Sequence, residues 1–320
     1  MNLKRILSFL LIAAMCLGLV PAGAFAEETA AETPAASETA VSEAETAEVT
    51  AGETDVLPEG EYLTEDGFQY RINEDGSVTI TRYKGDAADL VVPATIEGKR
   101  VSGLGYNACL NNANLKSLVI EEGVGSIAEG VFYNCANLSK IDLPSTITSI
   151  APNAFNYCAL TDTNGFSKLT NLKENTYLYL MGNKITDLSG LKGLKLSGLY
   201  LDNNVDLKDL TPLYGMDSLM TLSLYGTAVE ISDLWPLYRY EDMVLSVFDI
   251  GTAQYISPRP YVSIESNPLT SEITYTAADA SVVTLGDNGY LTANKVGETT
   301  VTAAYKGESK TFKVTVRETD

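Results

Sequence analysis

Carboxylates, thiols and tyrosines are the residues of this chain that could carry chemistry. It holds 42 Asp and Glu, four Cys, 18 Tyr and no His. Without His, the common Ser–His and Cys–His pairs and the His-containing zinc sites are absent. A polysaccharide hydrolase working with two acids is the weakest reading, because no pair of carboxylates stands out. Asp187, Asp209 and Asp233 return at near-regular intervals, which points to a loop or capping role. Asp202-x-Asn204-x-Asp206 begins like a calcium loop. Its sixth position is Leu207 where Gly is needed, and its twelfth is Leu213 where a bidentate Glu is needed. Asn204 is better explained as an amide that bonds neighbouring backbone, and Asp287-Asn288-Gly289 as a hairpin turn. The expectation is therefore no enzyme, no metal and no cofactor, which leaves a binding surface as the remaining chemistry.

A surface has meaning only once the elements that carry it are placed. The stretch 101–237 repeats itself. Val101-Ser102-Gly103-Leu104, Val124-Gly125-Ser126-Ile127 and Ile147-Thr148-Ser149-Ile150 return every 23 residues. Leu115, Leu118 and Ile120 fall on Leu138, Ile141 and Leu143 at the same offset. Further on, Leu178-x-Leu180-x-x-Asn183, Leu199-x-Leu201-x-x-Asn204 and Leu222-x-Leu224-x-x-Thr227 recur at steps of 21 and 23. Asp187-Leu188-x-x-Leu191, Asp209-Leu210-x-Pro212-Leu213 and Asp233-Leu234-x-Pro236-Leu237 keep step behind them. A fixed period in this range marks stacked coils. One coil buries about five aliphatic side chains at roughly 1.5–3 kcal/mol each, while ordering its residues costs roughly 1.5 kcal/mol apiece. A lone coil loses, so neighbours must share one apolar column and the ends must be covered.

These motifs resemble two bacterial leucine-rich repeat types. Leu138-x-x-Ile141-x-Leu143-Pro144-x-x-Ile147-x-x-Ile150-x-x-x-Ala154-Phe155-x-x-Cys158 is similar to the BspA-like repeat. The coils at 178–237 resemble the internalin-type repeat. Thr227 replaces that pattern's Asn, and Cys109 stands where Phe132 and Phe155 stand. Cys135 and Cys158 hold one position in adjacent coils. Adjacent strands lie about 4.7–4.9 Å apart and a disulfide needs Cα atoms roughly 4.4–6.8 Å apart, so a bridge is conceivable. A ladder of small buried core residues is the preferred reading.

Side chains alternate between core and outer face along a coil strand. Leu178, Leu180, Leu199, Leu201, Leu222 and Leu224 point inward. Tyr179, Tyr200 and Ser223 then form one outward column, and Met181, Asp202 and Tyr225 the next. Val91, Val119 and Asp142 are expected to continue the first column upstream. Tyr offers large, stiff, amphipathic area and is enriched in binding hot spots. The candidate ligand-binding residues are Tyr179, Tyr200, Tyr225, Met181 and Asp202, on the concave face. The bland alternative is ordinary strand tyrosines packed on each other.

The flanks complete the organisation. Residues 1–26 read as a secretory signal peptide: Lys4-Arg5, the apolar run 6–20, then Ala24-Phe25-Ala26. A membrane anchor is the other reading, but the run is short of the roughly 20 residues a span needs. Residues 27–58 are Ala, Glu, Thr and Ser without Lys or Arg, a composition that reads as a disordered acidic spacer or, less well, a glycosylated stalk. In 59–100, Phe68–Thr81 alternates around Asp75-Gly76 as a hairpin that covers the open first coil, and Leu90-Val91-Val92-Pro93 opens the repeats. BspA-like repeats come next at 101–159, and 160–177 is an irregular junction at the start of the internalin-type repeats, 160–240. Trp235 stands where Thr211 stands in the preceding coil, so it falls outside the aliphatic column. With Tyr238 and Tyr240 it is expected to pack against the C-terminal residues from 241 onward.

From 241 the leucine pattern ends in short alternating strands, with 244–250 a candidate opening strand and Val262-Ser263-Ile264 a further one, which implies a sandwich. Ala278-Asp279-x-Ser281-Val282-Val283-Thr284, Gly289-Tyr290-Leu291-Thr292-Ala293 and Gly297-x-Thr299-Thr300-Val301-Thr302-Ala303 resemble the bacterial Ig-like group 2 domain, assigned to 241–320. The fold class is mainly β: a leucine-rich repeat solenoid capped by a β-hairpin, then an Ig-like β-sandwich. A net charge of −20 argues against nucleic acid and anionic membrane surfaces, and no segment after the signal is apolar enough to span. The reading is a secreted or cell-surface protein that binds an extracellular protein or glycan, as in adhesion. A structural envelope spacer without a dedicated ligand is the alternative.

Overall fold

The computed structural model describes residues 57–247, 251, 253–264, 272–286 and 289–318. The signal peptide, nearly all of the acidic spacer, Asp287-Asn288 and the end of the 244–250 segment lie outside the described residues.

Five strands open the array. β1 (Glu61–Leu63), β2 (Phe68–Ile72) and β3 (Val78–Tyr83) pair antiparallel in order. β4 (Asp89–Val92) leaves that sheet, and β5 (Thr95–Ile96) pairs antiparallel with β6 (Lys99–Leu104). The β2–β3 pairing expected around Asp75-Gly76 is present, with a register shift at Gln69/Tyr70. β3 then runs parallel to β6, with Ile80 beside Leu104. Its alternation puts Tyr70, Val78 and Ile80 into the same buried cluster as the coil leucines, so the hairpin lies against the first coil.

Each BspA-like coil contributes two short strands, not one. β7 (Ser117–Ile120) and β9 (Lys140–Asp142) stack parallel on β4 in one ladder, while β8 (Ser126–Ile127) and β10 (Ser149–Ile150) stack on β6 in another. Between the ladders lies the apolar column that the 23-residue offset requires, with Leu118, Leu138, Leu143, Ile147, Phe132 and Phe155 all buried. The Phe132 and Phe155 rings stack at 5.3 Å. Cys109, Cys135 and Cys158 are free thiols inside this column; Cys135 Sγ donates to Cys109 O and Cys158 Sγ to Phe132 O, each at 3.2 Å.

The later coils keep one strand and trade the other for a 3₁₀ turn. β11 (Tyr177–Tyr179), β12 (Gly198–Tyr200) and β13 (Thr221–Ser223) form a parallel sheet in which Leu178, Leu199 and Leu222 lie rung on rung. Opposite them run η1 (Asn164–Phe166), η2 (Ser189–Leu191), η3 (Thr211–Leu213) and the longer η4 (Ile231–Leu237). One expectation fails here. Val91, Val119 and Asp142 do not continue the tyrosine column, because β4–β7–β9 is a separate sheet. Its stack runs on into the 3₁₀ side: Leu143 N–H donates to Gly165 O in η1. Apolar spacing alone does not tell which of two strands per coil continues into the next repeat type.

β14 (Met243–Val247) and β15 (Ala253–Tyr255) begin the C-terminal unit, and the chain then turns back. β16 (Tyr261–Ser263), read from sequence with the C-terminal strands, pairs parallel with β13 and places Val262 beside Leu222. A Val/Ile pattern suits either sheet, so only the pairing partner distinguishes them. The remaining strands are β17 (Thr274–Ala277), β18 (Val283–Leu285), β19 (Tyr290–Ala293), β20 (Gly297–Tyr305) and β21 (Glu308–Glu318). They complete a four-stranded sheet ordered β14–β21–β20–β17 and a three-stranded one ordered β15–β19–β18. Leu245, Ile256, Val283, Leu291, Val301, Phe312 and Val314 form their shared core.

Candidate functional site

The candidate site is the outer face of the β11–β12–β13–β16 sheet. Its rungs are fixed by an asparagine ladder. Asn183 Nδ2 donates to Phe155 O and Leu180 O, and its Oδ1 accepts from Leu160 N–H. Asn204 repeats this one coil on: Nδ2 donates to Leu180 O at 3.0 Å and Leu201 O at 2.7 Å, and Oδ1 accepts from Ile185 N–H at 2.9 Å. Both side chains are buried, so every polar atom they bring inside finds backbone partners. Thr227 replaces them in the last coil with a single bond, Oγ1 to Leu224 O at 2.8 Å.

On the strands this ladder holds, the outward residues fall into rows. Tyr177, Gly198, Thr221 and Tyr261 share one row, and Tyr179, Tyr200, Ser223 and Ser263 the next. Tyr179 and Tyr200 stack with centroids 4.4 Å apart and planes 2° from parallel, and both are half-buried. Met181 is half-buried and Tyr225 is 46% exposed. Asp202, taken from sequence as a surface residue, is only 5% exposed. Its Oδ1 accepts from Ser223 Oγ at 2.6 Å and from Tyr225 N–H at 2.9 Å. It therefore fixes the backbone that carries Tyr225.

Three tyrosines of this surface escape a reading of the later repeats alone. Tyr177 and Tyr261 are 40% and 50% exposed at the row's two ends, and Tyr157 is 40% exposed at the junction. Tyr157 N–H donates to Met181 O at 2.8 Å, so the BspA-like loop runs directly onto the tyrosine sheet. The alternation of 177, 179 and 181 was the available signal for Tyr177. Tyr261 depended on the pairing of β16.

On the 3₁₀ side, Asp187 Oδ1 accepts from Ser189 N–H and Asp209 Oδ1 from Thr211 N–H, each at 2.8 Å. Both precede the N-caps Leu188 and Leu210 and bond two residues on, so of the loop or capping role expected they fill the loop part, as Asx turns. Asp233 lies inside η4 instead, and its backbone carbonyl accepts from the Tyr214 hydroxyl at 3.2 Å. No cluster of three potential metal ligands occurs among the described residues. Burial holds the Cys135 thiol up at about 11 and raises Cys109 and Cys158 further, which leaves none of them a nucleophile at neutral pH.

The far end of the sheet is closed by the C-terminal unit. Trp235 is buried against Tyr305, with centroids 5.6 Å apart, and Tyr240 stacks on Phe312 at 5.2 Å. Lys310 Nζ lies 4.8 Å from the centre of the Trp235 ring and donates to Trp235 O and Tyr238 O. Burial lowers its pKa. The expected packing of Trp235 and Tyr240 is thus present. No helix among the described residues is long and apolar enough to cross a membrane.

Residues 100–200 match the model of the BspA type leucine rich repeat region in six copies. No curated protein matches the chain. Several solved structures are similar. One is a leucine-rich repeat protein of T. pallidum, at 18% identity over 57% of this chain and 75% of that one, TM-score 0.28. A leucine-rich cell surface protein of Faecalibacterium prausnitzii A2-165 matches at 20% identity over 74% and 61%, TM-score 0.35. Internalin C2 of Listeria monocytogenes matches at 22% identity over 52% and 72%, TM-score 0.26. With the stacked coils described above, the match identifies residues 100–200 as a BspA-type leucine rich repeat region within the array.

Proposed function

We propose that the chain is a secreted or cell-surface binding protein whose ligand, an extracellular protein or glycan, docks on the tyrosine face of the β11–β12–β13–β16 sheet, as in adhesion. One observation carries this reading. Tyr177, Tyr225 and Tyr261 stand 40–50% exposed on a sheet whose rungs are locked from behind by Asn183 and Asn204. Rigid aromatic area offered to solvent binds at low entropic cost. Tyr179, Tyr200, Tyr225 and Met181 meet the ligand, while Asp202 positions Tyr225. The hairpin acts as the N-terminal cap, and the C-terminal unit, Ig-like by its motifs, closes the other end. No catalytic step is assigned.

The Tyr179–Tyr200 stack also supports a second reading, in which these rings merely cement adjacent coils of a structural spacer. A glycan and matrix-protein array probed with the full chain separates the two. Simultaneous alanines at Tyr179, Tyr200 and Tyr225 are expected to weaken the captured ligand at least about tenfold, roughly 1.4 kcal/mol, with the melting temperature little changed. Normal binding by the triple variant, or a fall in stability with no ligand found, favours the spacer.

A further inference from the structure

We infer that the ligand of this face is a neutral glycan, read by exposed tyrosine rings that two glycines let pack close against the sheet. The inference rests on the binding role proposed above and narrows it. A Cβ on Gly198 would sit 2.1 Å from the Tyr177 ring, so that ring lies across the neighbouring strand where a side chain would otherwise stand. A Cβ on Gly182 would sit 2.4 Å from the Tyr157 ring, so that ring lies against Gly182. Both tyrosines are 40% exposed. What each ring leaves exposed is aromatic surface with a hydroxyl at its rim.

Tyr157 adds an independent sign. Its φ is +57°, the left-handed conformation that Asn111 and Asn134 adopt at the same place in the two preceding coils with φ of +58° and +57°. Asn tolerates this region, whereas a bulky aromatic residue is strained in it. Held in that conformation, Tyr157 sets its ring against Gly182 at the edge of the tyrosine sheet, T-shaped to Tyr133 at 5.3 Å.

The chemistry of the partner is set by what else the face offers. The outward positions of β11, β12, β13 and β16 are Tyr177, Tyr179, Gly198, Tyr200, Thr221, Ser223, Tyr261 and Ser263. None is charged and none is aliphatic, in a chain of net charge −20. A charged ligand finds no counter-charge in these rows, and a protein epitope finds no Arg there to anchor it. A pyranose is the complement. One face of it carries C–H groups polarised by the ring oxygens, which suit a π face, and its rim carries hydroxyls that suit Ser, Thr and Tyr hydroxyls.

The test is affinity electrophoresis of the full chain through gels containing neutral polysaccharides (hydroxyethylcellulose, galactomannan, xylan, laminarin), with polygalacturonate as the charged control. Retardation by at least one neutral polymer and not by the control is expected. Gly198→Ala, which evicts the Tyr177 ring while keeping the tyrosine, and Tyr177→Ala should each weaken it at least tenfold. Tyr177→Phe should retain most of it. Thermal melts of each variant exclude unfolding. Retardation by none of the four neutral polymers, by the control alone, or undiminished in both Gly198→Ala and Tyr177→Ala overturns the inference. Capture of enzymatically deglycosylated matrix proteins that is lost in the Tyr179, Tyr200 and Tyr225 triple variant leaves the binding face standing and removes only the glycan. Glycan binding that survives every tyrosine change removes both.

Discussion

Among single residues, Asn204 does the most for the architecture. It is fully buried and makes three bonds to backbone in two coils. Replacing it with alanine leaves buried donors and acceptors unmatched at about 1–3 kcal/mol each. Asn204→Ala should therefore cost about 3 kcal/mol in urea unfolding, and Thr227→Ala, which loses one bond, about 1 kcal/mol. Equal costs would mean that the ladder is not what registers the coils. The role of Asn204 was legible from its spacing, since an Asn at a fixed distance behind two leucines has only backbone to meet. Asp202 was not. Its partners Ser223 and Tyr225 lie in the next coil, and a carboxylate written between two leucines reads as a surface group until that register is known. The thiols give a pH prediction. Burial raises Cys135 to about 11, above the usual value of about 8.5. The folded state holds that proton more tightly than the unfolded chain does. Its contribution to stability is thus complete below about pH 8.5 and fades as the pH climbs towards about 11. Between those limits the loss of stability should be shallower in Cys135→Ala than in the parent. Iodoacetamide at pH 8 should label Cys109, Cys135 and Cys158 only after denaturation.

At the scale of elements, the repeat period settled the stacking but not the faces. Leu178, Leu199 and Leu222 lie one above another as their spacing requires. The same leucine arithmetic placed Val91, Val119 and Asp142 in line with them, whereas those residues belong to a ladder that passes into the 3₁₀ side. The physical reason is that a BspA-like coil has two strands while the later coil keeps one. The change happens between Cys158 and Leu178, where the apolar period is interrupted. The 3₁₀ turns that replace the lost strands depend on Asp187 and Asp209, whose carboxylates satisfy a backbone N–H two residues on. Asp187 also accepts from the Ser189 hydroxyl at 2.9 Å. Asp187→Ala should lower stability by about 1 kcal/mol, the usual worth of one hydrogen bond, and Asp187→Asn by less, because the amide oxygen still accepts. An equal loss for Asn and Ala would show that charge, not the hydrogen bond, is what the turn uses.

For the molecule as a whole, the question is whether solenoid and C-terminal unit are two bodies or one cooperative fold. The composition shift at 241 suggests a boundary, and the path of the chain denies it. β14 leaves the last coil for the C-terminal sheet, where it pairs with β21, yet β16 returns to the solenoid before β17 departs again. A cut at 240 takes from β13 a neighbour that supplies buried Val262 and two backbone bonds at 2.8 Å, Tyr261 N–H to Met220 O and Leu224 N–H to Ser263 O. A cut after 264 leaves β14 and β15 without the strands they pair with. Lys310 adds a third tie, with Nζ donating to two carbonyls at the end of the array over the Trp235 ring. Burying side chains at roughly 1.5–3 kcal/mol each across such a junction is enough to couple the halves. Calorimetry of the full chain should then show one transition for both, with matching calorimetric and van't Hoff enthalpies. Lys310→Met, which keeps the stem and loses the donors, should lower that transition by about 2 kcal/mol without splitting it. Two resolved transitions in the parent chain would show that β16 and Lys310 only tether two independent domains, and the tyrosine sheet would then have to hold its rungs without support from the C-terminal side.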